Sequence, residues 1–248
     1  MEDKTIAVWF SCGAASAVAA KKTIEKYGNE NTILIVNNPV DEEDADNKRF
    51  LDDVEKWLGQ EILFAKNTKI GTTSAVEVWE RRKYMSGIKG APCTLILKKE
   101  ARQEFERSRN IDYHVLGFTH EEKRRHDRFV KYERDNVLPV LIDAEITKQM
   151  CFEIVTSAGI KLPKAYSMGY PNANCIGCVK ATSPKYWKLV RDKNPDVFAA
   201  RAEQSRRLGV RLVRYKGKRI FLDELPEDIK GGKIKSYSCT IFCETDNL

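Results

Sequence analysis

Hydrophobic positions in the first third of the chain alternate between two periods. Ile6, Ala7, Val8, Trp9 and Phe10 form a short, continuous apolar run with β-branched and aromatic members. That pattern belongs to a strand buried on both faces. The run breaks at Ser11-Cys12-Gly13-Ala14-Ala15-Ser16, and an Ala-rich helix follows, which Gly28 ends. Thr32 to Val36 reads as a second buried strand. Phe50, Leu51, Val54, Trp57 and Leu58 recur at i, i+1, i+4, i+7 and i+8, the one-sided pattern of an amphipathic helix, and Gly59 stops it. Ile62 to Phe64 is a third strand. This order predicts an α/β fold with a largely parallel sheet.

Further along, the pattern predicts helices over Ser74 to Tyr84, Thr94 to Arg107 and Thr147 to Ala158, with strands over Tyr113 to Phe118 and Val137 to Ile142. Pro163 to Asn174 reads as loop. The remainder differs in kind: a helical stretch from Pro184 to Leu208, then Val210 to Tyr215 and Arg219 to Leu222 around Lys216-Gly217-Lys218 as a hairpin. The expected organisation is an α/β domain over residues 1–180 and a helical and hairpin extension over 181–248 with a cysteine-bearing tail.

Composition narrows the partners. The 248 residues are 42% apolar and 32% charged, the balance of a globular protein. No run approaches the ~18 apolar residues of a membrane span, and Met1-Glu2-Asp3-Lys4 is no secretory signal. The expectation is a cytoplasmic protein with no membrane partner. A net charge of +7 favours an anionic partner, nucleotide or nucleic acid. Seven cysteines in such a chain point to metal, cluster or catalytic use rather than to a disulfide framework.

The candidate chemistry lies in three places. In Ser11 to Ser16 the small side chains let backbone N–H groups and the following helix N-terminus approach an anion, Ser11 and Ser16 add hydroxyls, and Gly13 adds free φ. An ordinary turn with Ser16 as N-cap fits the same residues. Neither a Walker loop nor a dinucleotide fingerprint is present. The turn lies beyond the carboxyl end of the first strand, where ligands of such sheets bind. The second place is Thr119 to Arg128, following Leu116-Gly117-Phe118 on the same edge. Its arginines suit a bidentate anion clamp, as Lys98 and Lys99 suit an anion contact, although such runs are usually solvated helix faces.

The third place is the cysteines. Cys175-x-x-Cys178, Cys239-x-x-x-Cys243 and Cys93 at a helix start read as metal or cluster half-sites, with a redox pair or coincidence as the other readings. Cys12 and Cys151 read as packing residues. His114, His120 and His126 have no metal-ligand spacing with the cysteines and receive no role.

Taken in order over residues 5–180, these motifs resemble the phosphoadenosine phosphosulfate (PAPS) reductase family of the adenine-nucleotide PP-loop superfamily. Ser11-Cys-Gly-Ala-Ala-Ser16-Ala-Val resembles its S-x-G-A-x-S-A-V loop. Cys93-Thr-Leu-Ile-Leu-Lys98-Lys99 stands where the family has one or two cysteines and basic residues. Gly117-Phe118-Thr119 with Glu121, Glu122, Arg124 and Arg125 resembles G-x-R-x-x-E-S-x-x-R, and Cys175-Ile-Gly-Cys178 resembles C-x-G-C.

The resemblance implies a PP-loop fold of the adenine nucleotide alpha hydrolase kind, binding ATP, adenylyl sulfate or PAPS. Ser11, Cys12, Gly13, Ala14, Ser16, Gly117, Arg124 and Arg125 are the implied nucleotide contacts, and Lys98, Lys99 and Arg128 the contacts of the substrate anion. Cys93, Cys175 and Cys178, with Cys239 or Cys243, are the implied ligands of a [4Fe-4S] cluster, with zinc as the alternative metal. A tail cysteine, Cys239 or Cys243, is the implied nucleophile on sulfur, resolved by a thioredoxin-like reductant.

Three positions depart from the family. Pro92 precedes Cys93 where two adjacent cysteines are usual, the tail lacks the Gly and His that follow the catalytic cysteine, and Thr119 replaces an arginine. The alternative is a sulfurtransferase that splits ATP and thiolates nucleic acid, as in DNA phosphorothioation or tRNA thiolation, served by a sulfur donor. Arg201, Arg206, Arg207, Arg211 and Arg214 would then meet phosphates. The third reading is a non-catalytic, zinc-stabilised nucleotide or nucleic-acid binding protein.

Overall fold

The computed structural model describes residues 1–87, 90–232 and 234. The chain runs β1 (Thr5–Phe10), α1 (Ala14–Tyr27), β2 (Thr32–Asn37), α2 (Asp46–Leu58), β3 (Ile62–Phe64) and α3 (Ala75–Arg82). A π-helical segment, Thr94–Lys99, leads into α4 (Glu100–Arg107), followed by β4 (Tyr113–Val115), a 3-10 turn (His120–Glu122), α5 (Lys123–Tyr132) and β5 (Val137–Leu138). Then come α6 (Val140–Asp143), α7 (Lys148–Ser157), α8 (Lys164–Ser167), α9 (Pro184–Lys193), α10 (Pro195–Arg207), β6 (Val213–Tyr215) and β7 (Lys218–Ile220).

These elements gather into two compact units. Unit 1 is Met1–Pro39, Ala45–Lys66 and Ala101–Lys164; unit 2 is Val40–Asp44, Asn67–Glu100 and the described residues from Ala165 onward. The described part of the extension expected after residue 180 thus lies in unit 2, with two earlier stretches of chain.

Unit 1 is built on a five-stranded sheet in the order β3-β2-β1-β4-β5, every pair parallel. Ile6 to Phe10 are all buried, so both faces of the central strand are covered. Successive side chains reach opposite helices: Phe10 meets Phe50 of α2 at 6.1 Å between ring centroids, and Trp9 meets Phe105 of α4 at 5.8 Å. The α/β parallel-sheet expectation is met. From β1 the chain passes to β2 on one side, and later to β4 on the other. The carboxyl ends of β1 and β4 therefore flank the switch point at which ligands of such sheets sit.

Two strands are shorter than their apolar runs. β4 stops at Val115, and the Phe118 N–H turns back to the Leu116 carbonyl at 2.7 Å. β5 stops before Pro139, which has no N–H for the ladder and instead precedes α6. Val140-Leu141-Ile142 is thus helical, since a short apolar run does not by itself distinguish strand from helix.

Unit 2 packs around Trp79, Met85, Ile96, Tyr186, Trp187, Leu212 and Leu222. The helical stretch expected from Pro184 to Leu208 is two helices. Asn194 between them takes φ −139° and ψ 63°, because the ring of Pro195 disfavours helical backbone at the residue before it. The helix expected over Thr94 to Arg107 opens with six π-helical residues, and the expected loop Pro163 to Asn174 contains α8. β6 and β7 form the expected hairpin, with Val213 opposite Ile220, Arg214 opposite Arg219 and Tyr215 opposite Lys218. Among the described residues no helix is long and apolar enough to cross a membrane.

Candidate functional site

In unit 1 the turn after β1 is stitched by its own side chains. Cys12 takes the left-handed conformation, φ +52°, and is buried. Asn37, at the end of β2, donates its Nδ2 to the Phe10 carbonyl at 2.9 Å and to Cys12 Sγ at 3.4 Å. Gly13, at φ −106°, is the N-cap of α1 and has no side chain of its own to cap the helix. The residue that needs the unusual φ is therefore Cys12, and the expected N-cap, Ser16, sits inside the first turn. Ser16 Oγ accepts from the Ser11 N–H at 3.1 Å and donates to the Gly13 carbonyl at 2.9 Å. The Ser11 and Ser16 hydroxyl oxygens stand 3.3 Å apart.

Gly117 closes on this turn from β4. A Cβ there would lie 2.8 Å from the Ser16 nitrogen and 3.0 Å from the Ala15 carbonyl carbon, so no side chain fits without moving backbone. Ser11, Cys12, Gly13, Ala14, Ser16 and Gly117 are thus brought to one end of the sheet.

The charged segment is spent differently from the expectation. Thr119 is buried and forms a capping box with Glu122, whose backbone N–H reaches the Thr119 carbonyl at 2.8 Å. Arg125 pairs with Glu122 at 2.5 Å and lies over the Phe118 ring at 5.1 Å. Arg124 and Arg128 are exposed. Glu121 accepts the Lys148 N–H at 3.1 Å, at the start of α7.

Sequence reasoning missed a buried polar chain behind β1. Trp9 Nε1 donates to His114 Nδ1 at 3.0 Å, Arg134 approaches His114 Nε2, and Arg134 pairs with Glu106 at 2.9 Å. Burial, with Arg134 and Arg102 nearby, pushes the His114 pKa down from 6.5 to about 3, so the ring is neutral. Only alternation marks these residues in sequence. Cys151 is fully buried on α7, and that burial pushes its thiol up to about 12.

The cysteine site belongs to unit 2. Cys175 and Cys178 are buried, and Gly177 between them takes φ +70°. The Tyr186 hydroxyl holds both ends of the loop: it accepts the Cys178 N–H at 2.9 Å and donates to the Cys175 carbonyl at 3.4 Å. Glu42, from the acidic stretch after β2, fixes the loop from the other side. Its carbonyl accepts the Ile176 N–H at 2.8 Å, while its carboxylate takes the Ala75 N–H and the Ser74 hydroxyl, both at 2.7 Å, at the start of α3. Cys93 is half-buried ahead of the π-helical segment and packs against the same core.

Arg201 lies behind this loop. It is 3% exposed, its guanidinium sits 4.3 Å over the Trp79 ring, and its Nε comes within 3.6 Å of where a Gly177 Cβ would stand. That Nε and the Thr94 hydroxyl are buried polar atoms with no hydrogen-bond partner among the described residues. Burial lowers the Arg201 pKa, while Glu42, Cys175, Tyr186 and Cys178 oppose the shift. The unmatched Arg201 Nε lies in the electrostatic reach of Cys175 and Cys178, an arrangement that suits negative charge on their thiols. Among the described residues, however, no three His, Cys, Asp or Glu side chains come together as a metal site, so Cys93, Cys175 and Cys178 are not gathered into one. Cys239 and Cys243 lie outside the described residues. Lys98, which is buried, and Lys99 belong to unit 2, whereas Arg128 belongs to unit 1.

The arginines expected on phosphates also divide. Arg201 is buried, Arg206 pairs with Asp223 at 2.8 Å, and Arg207 pairs with Glu80 at 2.6 Å. Arg211 and Arg214 remain exposed.

No family profile matches the chain, and no curated protein does. Among solved structures, the U34-tRNA thiolase NcsA from Methanococcus maripaludis with its [4Fe-4S] cluster is similar over 100% of this chain and 82% of that one. The identity is 12% and the TM-score 0.48. A likeness of that depth carries neither residues nor activity to this chain.

Proposed function

We propose that the chain is a PP-loop enzyme that binds ATP at the β1–α1 turn, splits it between the α- and β-phosphates, and directs sulfur to a nucleic-acid acceptor. The observation that carries this reading is the turn itself, at the switch point of a parallel sheet, with a glycine at the helix N-cap and a second glycine opposite it. Backbone N–H groups at the start of α1 and the Ser11 hydroxyl hold phosphate oxygens, while Ser16 Oγ braces the turn between the Ser11 N–H and the Gly13 carbonyl. An acceptor oxygen attacks the α-phosphorus, pyrophosphate leaves, and an adenylated acceptor remains. Sulfide then attacks the adenylated carbon or phosphorus and displaces AMP, which leaves with the bridging oxygen, so the acceptor ends with sulfur in place of oxygen.

Thr119 supports ATP over a sulfonucleotide. It stands where the resembling family has an anion-binding arginine, and it is committed to capping a helical turn, as Arg125 is to Glu122. Cys93, Cys175 and Cys178, completed by Cys239 or Cys243, would hold an iron–sulfur cluster or zinc. A cluster there supplies soft iron that takes sulfur ligands.

Product analysis tests the reading. AMP and pyrophosphate from ATP, increased by nucleic acid, is the expected result. ADP and phosphate would overturn it, and sulfite released from adenylyl sulfate or PAPS would select the reductase chemistry instead.

A further inference from the structure

The β6–β7 hairpin concentrates charge in a way the rest of unit 2 does not. From Val210 to Leu222 there is no acidic residue, while Arg211, Arg214, Lys216, Lys218 and Arg219 are all exposed. Neighbouring arginines are neutralised by carboxylates: Arg206 by Asp223 and Glu224, and Arg207 by Glu80. None of the five hairpin cations is in an ion pair among the described residues.

The register sharpens the point. Arg214 lies directly opposite Arg219, and like charges in that relation destabilise a strand pair. Val213 is buried and its partner Ile220 packs against the core, so alternation turns Arg214 and Arg219 to the other face. Arg219 is held in place by donating to the Leu212 carbonyl at 2.8 Å, which keeps the two guanidinium groups neighbours. Burial and the charge of Arg214 both lower the Arg219 pKa. An anion set between them removes the repulsion. The turn itself is Lys216-Gly217, which offers a membrane no apolar side chain to insert.

We infer that the β6–β7 hairpin is a docking surface for the phosphodiester backbone of nucleic acid, with Arg214 and Arg219 on its outer face and Lys216 and Lys218 at its tip, either side of Gly217, as phosphate contacts. This rests on the nucleic-acid acceptor proposed above and names the part of the chain that holds it. Such contacts position a substrate without reading its sequence.

The test is binding of the full chain to labelled tRNA and to duplex DNA across a salt series. The wild type should bind with an affinity that falls linearly in log salt. The variant carrying Arg214→Gln, Lys216→Gln and Lys218→Gln should lose about 2 to 3 units of that slope, since each phosphate contact contributes roughly 0.7 to 0.9. Arg219 is left in place because it supports the hairpin. A charge-retaining variant, Arg214→Lys with Lys216→Arg and Lys218→Arg, should keep the wild-type slope. An unchanged slope in the glutamine variant, or wild-type binding to anionic phosphatidylserine vesicles and to no nucleic acid, overturns the inference. ATP product analysis on the wild type runs in parallel. Pyrophosphate release with an unchanged slope removes the hairpin alone, whereas hairpin-dependent binding without ATP cleavage removes the sulfurtransferase reading and leaves the surface.

Discussion

Gly117 and Ser16 show how little room the candidate nucleotide turn leaves. Adding one methyl group at residue 117 places a carbon 2.8 Å from a backbone nitrogen. Gly117→Ala should therefore cost about 1–3 kcal/mol of stability, the range for overpacking, and denaturant titration would show it. A midpoint equal to the wild type would mean that the turn gives way easily. His114 supplies a pH dependence. Folding holds it neutral with a pKa pushed from 6.5 down to about 3, so the unfolded chain binds a proton that the folded chain does not. Its contribution is complete above about pH 6.5 and falls by about 1.4 kcal/mol per pH unit towards pH 3. Between pH 7 and pH 5 the wild type should lose about 2 kcal/mol more than His114→Asn. Equal losses would show that the ring is not held neutral.

Among the elements, the helix starts are fixed by short-range and long-range groups alike. Ser74 caps α3 and Thr147 caps α7 from within the local sequence, each through a side-chain oxygen that accepts an N–H three residues on. Thr119 does comparable work at the 3-10 turn leading into α5. Thr119→Ala should cost about 1 kcal/mol, with Thr119→Ser restoring most of it. Were Thr119 an anion contact instead, the alanine variant would lose nucleotide affinity and keep its stability. The strand, helix and turn order of unit 1 was legible because its apolar runs and glycines are local signals. The break at Asn194-Pro195 was legible too, in a dipeptide that punctuates chains, but the apolar spacing on either side read as one helix. Glu42 was not legible: it caps α3 from more than thirty positions away, and nothing near it in sequence names its partner.

For the whole molecule, the order of the motifs was readable, whereas their grouping was not. The β1–α1 turn, Gly117 and the charged segment belong to unit 1, while Cys93, Cys175, Cys178, Lys98 and Lys99 belong to unit 2. The division follows from chain crossings that periodicity cannot report. It also changes the meaning of the basic residues near the end of the described chain. Arg201 serves the interior behind the cysteine loop, and the exposed charge moves to the hairpin. Calorimetric titration of ATP into the wild type and Ser16→Ala decides whether the β1–α1 turn takes the phosphates of an adenine nucleotide. Ser16→Ala removes the hydroxyl that stitches Ser11 to Gly13, so saturable one-to-one binding by the wild type should weaken about tenfold in the variant, the worth of the hydrogen bonds that brace the turn. No binding by the wild type, or equal affinity in the two proteins, would contradict it.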